Sequence, residues 1–243
     1  MKLLIVRHAE PDYVNDTLTE KGWREAQILS EYLLGVKVDS VYVSPLGRAR
    51  DTAKPYLEKS GRDHTVFDWL EEFPCRIDRP DDEDQKHVAW DWLLQDWTAD
   101  ERFYDINRWK ENERFLAGDV GKKYDEIVKG FDELIAKHGY VRNGNIYDAR
   151  RSNDDTILFF CHFGLECVLL SRLLSVSPMI LWHGLCAAPA STTTIVTEER
   201  RKGIASFRVL SFGDASYLPQ AGEDISFHAR FCEMYDNADQ RHD

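Results

Sequence analysis

Residues 3–6, Leu-Leu-Ile-Val, form an uninterrupted apolar run bounded by charges, the pattern of a strand buried on both faces of a parallel sheet. From Thr19 the spacing becomes helical. Gly22, Ala26, Leu29 and Leu33 share one face, Thr19 is placed as the N-cap and Gly35 as the C-terminal stop. Residues 40–43 and 65–67 read as a second and third strand, and 47–58 as a helix in which Pro55 is expected to introduce a kink. Between about Phe73 and His138 no strand pattern is convincing. Three helices are expected there, roughly over 84–97, 100–116 and 119–138, with Trp90, Trp92, Trp97 and Trp109 set among many acids. An insertion of this kind between sheet strands reads either as a cap over the active face or as a helical subdomain packed by its own tryptophans.

Alternation around Asn143-Gly144 predicts a hairpin with a type I′ turn. Residues 156–161, Thr-Ile-Leu-Phe-Phe-Cys, carry the strongest strand signal in the chain. Helices follow over 164–174 and 178–184, then two strands over 192–197 and 204–211 joined by a polar turn. The tail after Pro219 is polar. Strands alternating with helices predict an α/β fold: a three-layer α/β/α sandwich with a mainly parallel central sheet. The expectation is a single domain over 1–243, carrying the helical cap at about 73–139.

Composition narrows the function classes. The chain has 243 residues, 43% of them hydrophobic, enough for a substantial core. No apolar run is long enough to span a bilayer, and the first residues lack the long h-region of a signal peptide, so the expected compartment is the cytoplasm. Cys75, Cys161, Cys167, Cys186 and Cys232 are odd in number and lack C-x-x-C spacing, which argues against a disulfide framework or a structural zinc site. A formal charge of −12, without a basic patch beyond Arg200, Arg201 and Lys202, argues against nucleic acid and against an anionic membrane surface. Any anionic ligand is then expected to be small and held in a locally positive pocket.

In open α/β sheets, ligands bind beyond the C-terminal ends of the strands. Arg7 and His8 follow the first strand, Ser44 and Arg48 the second, Glu71 and Glu72 the third, and His162 the strand at 156–161. Two His, two Arg and a carboxylate pair therefore converge on one sheet edge. Phosphoryl transfer suits that set. Arg offers a planar fork to phosphate oxygens, a neutral His can take the phosphoryl group covalently, and a carboxylic acid can protonate the leaving oxygen and later activate water.

These residues also carry a family resemblance. Residues 4–10, with Arg7-His8-Ala9, are similar to the R-H-G signature of the histidine phosphatase superfamily, also called the phosphoglycerate mutase-like family. Residues 44–53 (SPLGRARDTA) resemble its S-x-L-x-R-A-x-x-T-A motif, 159–164 (FFCHFG) its second catalytic His segment, and 18–22 (LTEKG) its L-T-x-x-G stretch. Ser191 with the following strand resembles its late motif. The resemblance implies that His8 is the phosphorylated nucleophile, that Arg7, Arg48 and His162 hold the phosphoryl oxygens, and that the proton donor is Glu72 or, as second choice, Glu71. It implies no metal and no organic cofactor. The sequence departs from the pattern at Ala9 (usually Gly), Pro11, Phe163 and Tyr217, and Asn15 lies one residue off a common substrate-contacting Asn.

The implied activity is hydrolysis of a small phosphorylated metabolite. A mutase returning the phosphoryl group to a second hydroxyl, or an inactive binding member of the family, is the alternative. Other motifs read blandly. Residues 81–84 (Asp-Asp-Glu-Asp) lack the Gly and terminal Glu of a calcium loop and read as a solvated helix start. Arg76 and Arg79 either face an anionic part of the substrate or offset these acids. His183 reads as a capping or packing residue.

Overall fold

The computed structural model describes residues 1–228, 230 and 232–240. Its strands are β1 (Lys2–Arg7), β2 (Pro11–Asp12), β3 (Thr17–Leu18), β4 (Ser40–Val43), β5 (Thr65–Val66), β6 (Arg76–Arg79), β7 (Asp82–Val88), β8 (Tyr140–Asn143), β9 (Ile146–Ala149), β10 (Thr156–Cys161), β11 (Thr192–Arg201) and β12 (Ile204–Asp214). Its α-helices are α1 (Glu20–Leu34), α2 (Gly47–Ser60), α3 (Leu94–Trp97), α4 (Glu113–Ala117), α5 (Val120–Lys137), α6 (Phe163–Leu174), α7 (Pro178–Gly184) and α8 (Tyr217–Gln220).

Eight strands form one mixed sheet in the order β5-β4-β10-β1-β11-β12-β9-β8. The pairings of β1, β10, β4 and β5 are parallel and those through β11, β12, β9 and β8 antiparallel, so only β11 and β9 run against β1. Strand alternation sends side chains to opposite faces. Leu4, Val6, Leu158 and Phe160 share a buried cluster with Ala26, Leu29 and Leu33 of α1 and with Ala53 and Tyr56 of α2. Leu3, Ile5, Ile157 and Phe159 share the other with Ile127 and Phe131 of α5 and with Val168 and Leu169 of α6. Both faces are thus covered, which gives the expected three layers and explains the unbroken apolar runs of β1 and β10. Thr19 caps α1, its side chain accepting from Gly22 N at 3.0 Å. The expected hairpin forms, with Gly144 at φ +58° in its two-residue loop, but Asn145, the second loop residue, is not at positive φ, so the turn is not the expected type I′: Gly144 alone takes the left-handed conformation, which costs glycine nothing.

The stretch between Phe73 and Lys137 differs from the three expected helices. Residues 82–88 are a strand, paired antiparallel with β6 through Arg76↔Val88, Ile77↔His87 and Asp78↔Lys86. The physical reason is composition: 82–87 offer no apolar stripe to seat a helix, while a hairpin can bury Ile77 alone and leave the charges outside. Lys86 pairs with Asp78 at 2.7 Å across the hairpin. Residues 81–84 accordingly form a turn and a strand rather than a helix start.

The helix expected over 100–116 breaks into two 3₁₀ turns, Glu101–Tyr104 and Trp109–Glu111, and the short α4. Asp100, Asp105 and Asn112 each accept a backbone N–H two residues on, and each such bond restarts the chain. The tryptophans pack the insertion. Trp92 meets Phe103 and Phe115 edge-on, and Trp109, fully buried, meets Phe115, Tyr124 and Trp182. Only α5 matches its expected span, on the strength of the single face made by Tyr124, Ile127, Phe131 and Leu134.

Candidate active site

His8 follows β1 directly, and its backbone N–H bonds Cys161 O at the end of β10, so two adjacent strand ends fix its place. The side chain is 2% exposed. Its Nδ1 lies 2.8 Å from Ala9 O. A carbonyl oxygen only accepts, so Nδ1 carries the proton and Nε2 presents a lone pair. Burial, reinforced by Arg7, holds the imidazole well below its ordinary pKa, so the ring is neutral at neutral pH. Ala9 lies outside the left-handed region, so alanine in place of glycine there is unstrained.

His162 directly follows β10 at the N-cap of α6, fully buried, with its ring centroid 5.1 Å from that of His8. Ser44 Oγ stands 2.7 Å from His162 Nε2 and accepts from Leu46 N at 3.3 Å. The serine oxygen has a second lone pair, so it either donates to Nε2 or accepts from it, and the histidine tautomer goes with that choice. The other ring nitrogen, Nδ1, is buried and has no hydrogen-bond partner among the described residues. Burial, with His8 next, lowers the pKa of His162 too.

Arg7 donates from Nη1 to Ala187 O at 2.5 Å. Arg48 sits in the first turn of α2 and pairs through Nη1 with Asp16 Oδ1 at 2.6 Å. Both guanidinium groups keep a buried Nε without a partner among the described residues. Asp16 Oδ2 also accepts from Gly47 N at 2.7 Å. This contact depends on Gly47, because a Cβ there would lie 2.0 Å from Asp16 O. Thr52 ties the two halves together, accepting from Ala9 N at 2.9 Å and donating to Arg48 O at 2.7 Å.

Glu72 follows a 3₁₀ turn at Asp68–Leu70 and reaches the start of α6. Its Oε1 accepts from Phe73 N at 2.8 Å and from Leu165 N at 3.0 Å, and Oε2 accepts from Gly164 N at 3.4 Å. The first N–H groups of a helix lack internal partners, so Glu72 caps α6 from outside. Burial nevertheless raises its pKa, against the pull of these N–H groups and of Arg7 and Arg48. Glu71 turns the other way and pairs with Lys123 of α5 at 3.0 Å. Asn15 is exposed and donates to Asp12 Oδ2 at 2.7 Å. The fold therefore brings together His8, Arg7, Arg48, His162 and Glu72, and leaves Glu71 and Asn15 outside that group.

Several further residues near the site carry no role that the sequence alone assigns. Ser44 and Thr52 lie inside the 44–53 motif. Glu166, on the largely apolar α6, is 1% exposed, and burial pushes its carboxyl up to about 7. An acid inside so apolar a helix was the available signal. The tail is fastened back over α1: Glu223 pairs with Lys21 at 2.9 Å and Arg24 at 2.6 Å, and Ser226 Oγ donates to Glu10 Oε2 at 2.7 Å. This sets the His228 ring 6.3 Å from Tyr13, whose own ring is 6.5 Å from His8. Arg79 pairs with Asp81 and Asp91, and Arg76 bonds Lys86 O, so both serve the insertion's own structure. His183 links α7 to the insertion by accepting from Trp92 N at 3.1 Å and stacking on Trp97. Among the described residues no group of three or more His, Cys, Asp or Glu is arranged to hold a metal ion, and no helix is long and apolar enough to cross a membrane.

Residues 3–209 match the histidine phosphatase superfamily, branch 1. The chain belongs to that superfamily. Phosphoserine phosphatase 1 of Hydrogenobacter thermophilus is 25% identical over 221 residues, covering 86% of this chain and 92% of the relative. The adenosylcobalamin/alpha-ribazole phosphatase of Salmonella typhi is 27% identical over 220 residues, covering 87% and 96%. A mutant phosphoserine phosphatase from Entamoeba histolytica, solved in complex with phosphoserine, shares the fold with a TM-score of 0.57 at 17% identity, over 89% of this chain and 98% of that one. This histidine phosphatase is thus a phosphatase-type member, its relatives matched over nearly their whole length.

Proposed function

We propose that the protein hydrolyses a small phosphomonoester through a phosphohistidine on His8, with Glu72 as general acid and then general base. The observation that carries this reading is the Nδ1–H of His8 held on Ala9 O, which leaves a neutral ring with its Nε2 lone pair beside Arg7, Arg48 and His162. A nucleophile of this kind needs a free lone pair and a clamp for the transferring oxygens.

In the first step Nε2 attacks phosphorus in line while the P–O ester bond breaks. The Glu72 carboxyl, kept protonated into a higher pH range by burial, passes its proton to the departing oxygen. Arg7 and Arg48 supply positive charge to the phosphoryl oxygens, and His162, in the tautomer that carries its proton on the partner-free Nδ1, donates to one of them. In the second step the Glu72 carboxylate takes a proton from water, whose oxygen attacks phosphorus, and the P–N bond breaks to return neutral His8. The steps call on no metal or organic cofactor. The proposed setting is cytoplasmic, with a free phosphorylated metabolite as substrate. O-phosphoserine and α-ribazole phosphate head the candidates, because relatives matched over most of this chain are named for them.

The test is hydrolysis of p-nitrophenyl phosphate and these two esters in EDTA by wild type, His8→Ala, Glu72→Gln and Glu71→Gln, with rapid-quench trapping of acid-labile phosphoenzyme. Wild type and Glu71→Gln should turn over an ester, His8→Ala should not, and Glu72→Gln should be slowed by roughly a hundredfold or more on the alkyl esters. An active His8→Ala protein would remove the assignment.

A further inference from the structure

Trp90 has no part in the reaction as derived so far, yet its indole N–H stands beside the proposed acid. It follows β7 in the insertion, and its Nε1 is shielded and without a hydrogen-bond partner among the described residues. Native proteins rarely leave a buried donor in that condition. A Cβ built on Gly164 would lie 2.8 Å from Trp90 Nε1 and 2.7 Å from Glu72 Oε1. The two atoms thus flank one small gap, which exists because residue 164 has no side chain. The indole packs against Phe163, whose ring it meets edge-on at 6.1 Å.

We infer that Trp90 is a positioning residue for the general acid, its indole N–H engaging the Glu72 carboxylate as Glu72 gives up its proton. This rests on the reading of Glu72 as that acid. A protonated carboxyl directs its O–H at the leaving oxygen and has little unused acceptor capacity. Proton loss spreads negative charge over both carboxylate oxygens, including Oε1, the atom on the indole's side of the gap. The backbone donors Phe73 N, Leu165 N and Gly164 N are held by the chain in both states. Trp90 adds a side-chain donor that can turn toward the new charge, and a donor that favours the ionised form makes Glu72 a stronger acid. The other charged or titratable groups around Glu72 are Arg7 on β1, His8 after it, Arg48 on α2, and Cys161, His162, Glu166 and Cys167 on or before α6. Burial pushes both thiols well up and both imidazoles well down, so all four stay neutral on the basic limb, and a Trp90 substitution leaves every one of these groups in place.

Trp90→Phe keeps a ring in the seat and removes the N–H. Its kcat/KM should fall about tenfold for an unactivated alkyl phosphate and less than about twofold for p-nitrophenyl phosphate, whose leaving group departs with little help from a proton. The basic limb of kcat/KM against pH should move up by about one unit, because the ionised form of Glu72 has lost a donor. A purely structural role for Trp90 would lower both substrates together and leave the limb in place, and that result overturns the inference. The wild-type protein gives an independent reading if the variant folds poorly. One indole ¹H–¹⁵N resonance should titrate with the acid and stop titrating in Glu72→Gln; absence of such a resonance also overturns the inference. If Glu72→Gln turns over the alkyl ester like wild type, the acid assignment itself has failed. If Glu72→Gln is inactive but Trp90→Phe keeps the wild-type limb and substrate ratio, only the role of Trp90 has failed.

Discussion

Ser44 Oγ lies 2.7 Å from His162 Nε2, both groups fully buried, so one hydroxyl just after β4 is placed to bias which nitrogen of a neighbouring strand's histidine carries the proton. Ser44→Ala should release that choice. A lost buried hydrogen bond of about 1–2 kcal/mol corresponds to roughly a tenfold fall in kcat. Steady-state kinetics read the loss and ¹⁵N shifts of His162 read the tautomer. An unchanged kcat with an unchanged tautomer would show that Ser44 does not set it.

Asp16 fixes Arg48 from a loop rather than from the sheet, through the 2.6 Å pair with Nη1. Arg48 is little exposed while Asp16 is open on one side, so the pair orients more than it stabilises. Asp16→Asn should raise KM several-fold and weaken inhibition by inorganic phosphate in parallel, with kcat less affected. A kcat effect with KM untouched would place Arg48 outside ground-state binding.

Gly47 lets that loop lie against α2. A methyl at 47 would sit 2.0 Å from the Asp16 carbonyl oxygen, and a backbone atom has little freedom to yield. Gly47→Ala should cost about 2 kcal/mol or more, a fall in Tm of several degrees, and weaken phosphate binding as Asp16 is displaced. Thermal unfolding beside phosphate titration checks both, and a stable variant with wild-type affinity would contradict the close approach.

Glu166 should make stability fall with rising pH. Its carboxyl titrates at about 7 in the fold against 4.5 when exposed, so between those values the native chain binds more protons than the unfolded one. Its contribution is present below about 4.5, declines to pH 7 and is flat above, a change of about 3 kcal/mol. His8 and His162 act the other way. Their folded pKa values are depressed, so their cost appears as pH falls below 6.5. Comparing wild type with Glu166→Gln separates the contributions. The Tm difference should shift in favour of the variant between pH 5 and pH 8, and a pH-independent difference would show that Glu166 does not titrate in this range.

Much of the site was legible because it is built from strand ends. The apolar runs at 3–6 and 156–161 are buried on both faces, so their periodicity is local and strong, and Arg7, His8 and His162 must emerge where the runs stop. The insertion was less legible. Helical spacing was read into 84–97, but 82–88 pair as a strand, an outcome set by β6 and by where Ile77 finds cover.

Local pattern in the chain was enough to determine the three-layer α/β architecture and the gathering of two histidines and two arginines at one sheet edge, because strand burial and strand direction together decide where those side chains lie. Tertiary structure alone decided which of the adjacent acids joins that group. Glu72 meets N–H groups at the start of α6, more than ninety residues further along the chain, while Glu71 meets Lys123 of α5. It alone also brought Trp90 and Glu166 beside the acid and Arg7. On an irregular turn neighbouring side chains point apart, and which of them enters a site depends on donors supplied by distant segments, which no local periodicity encodes.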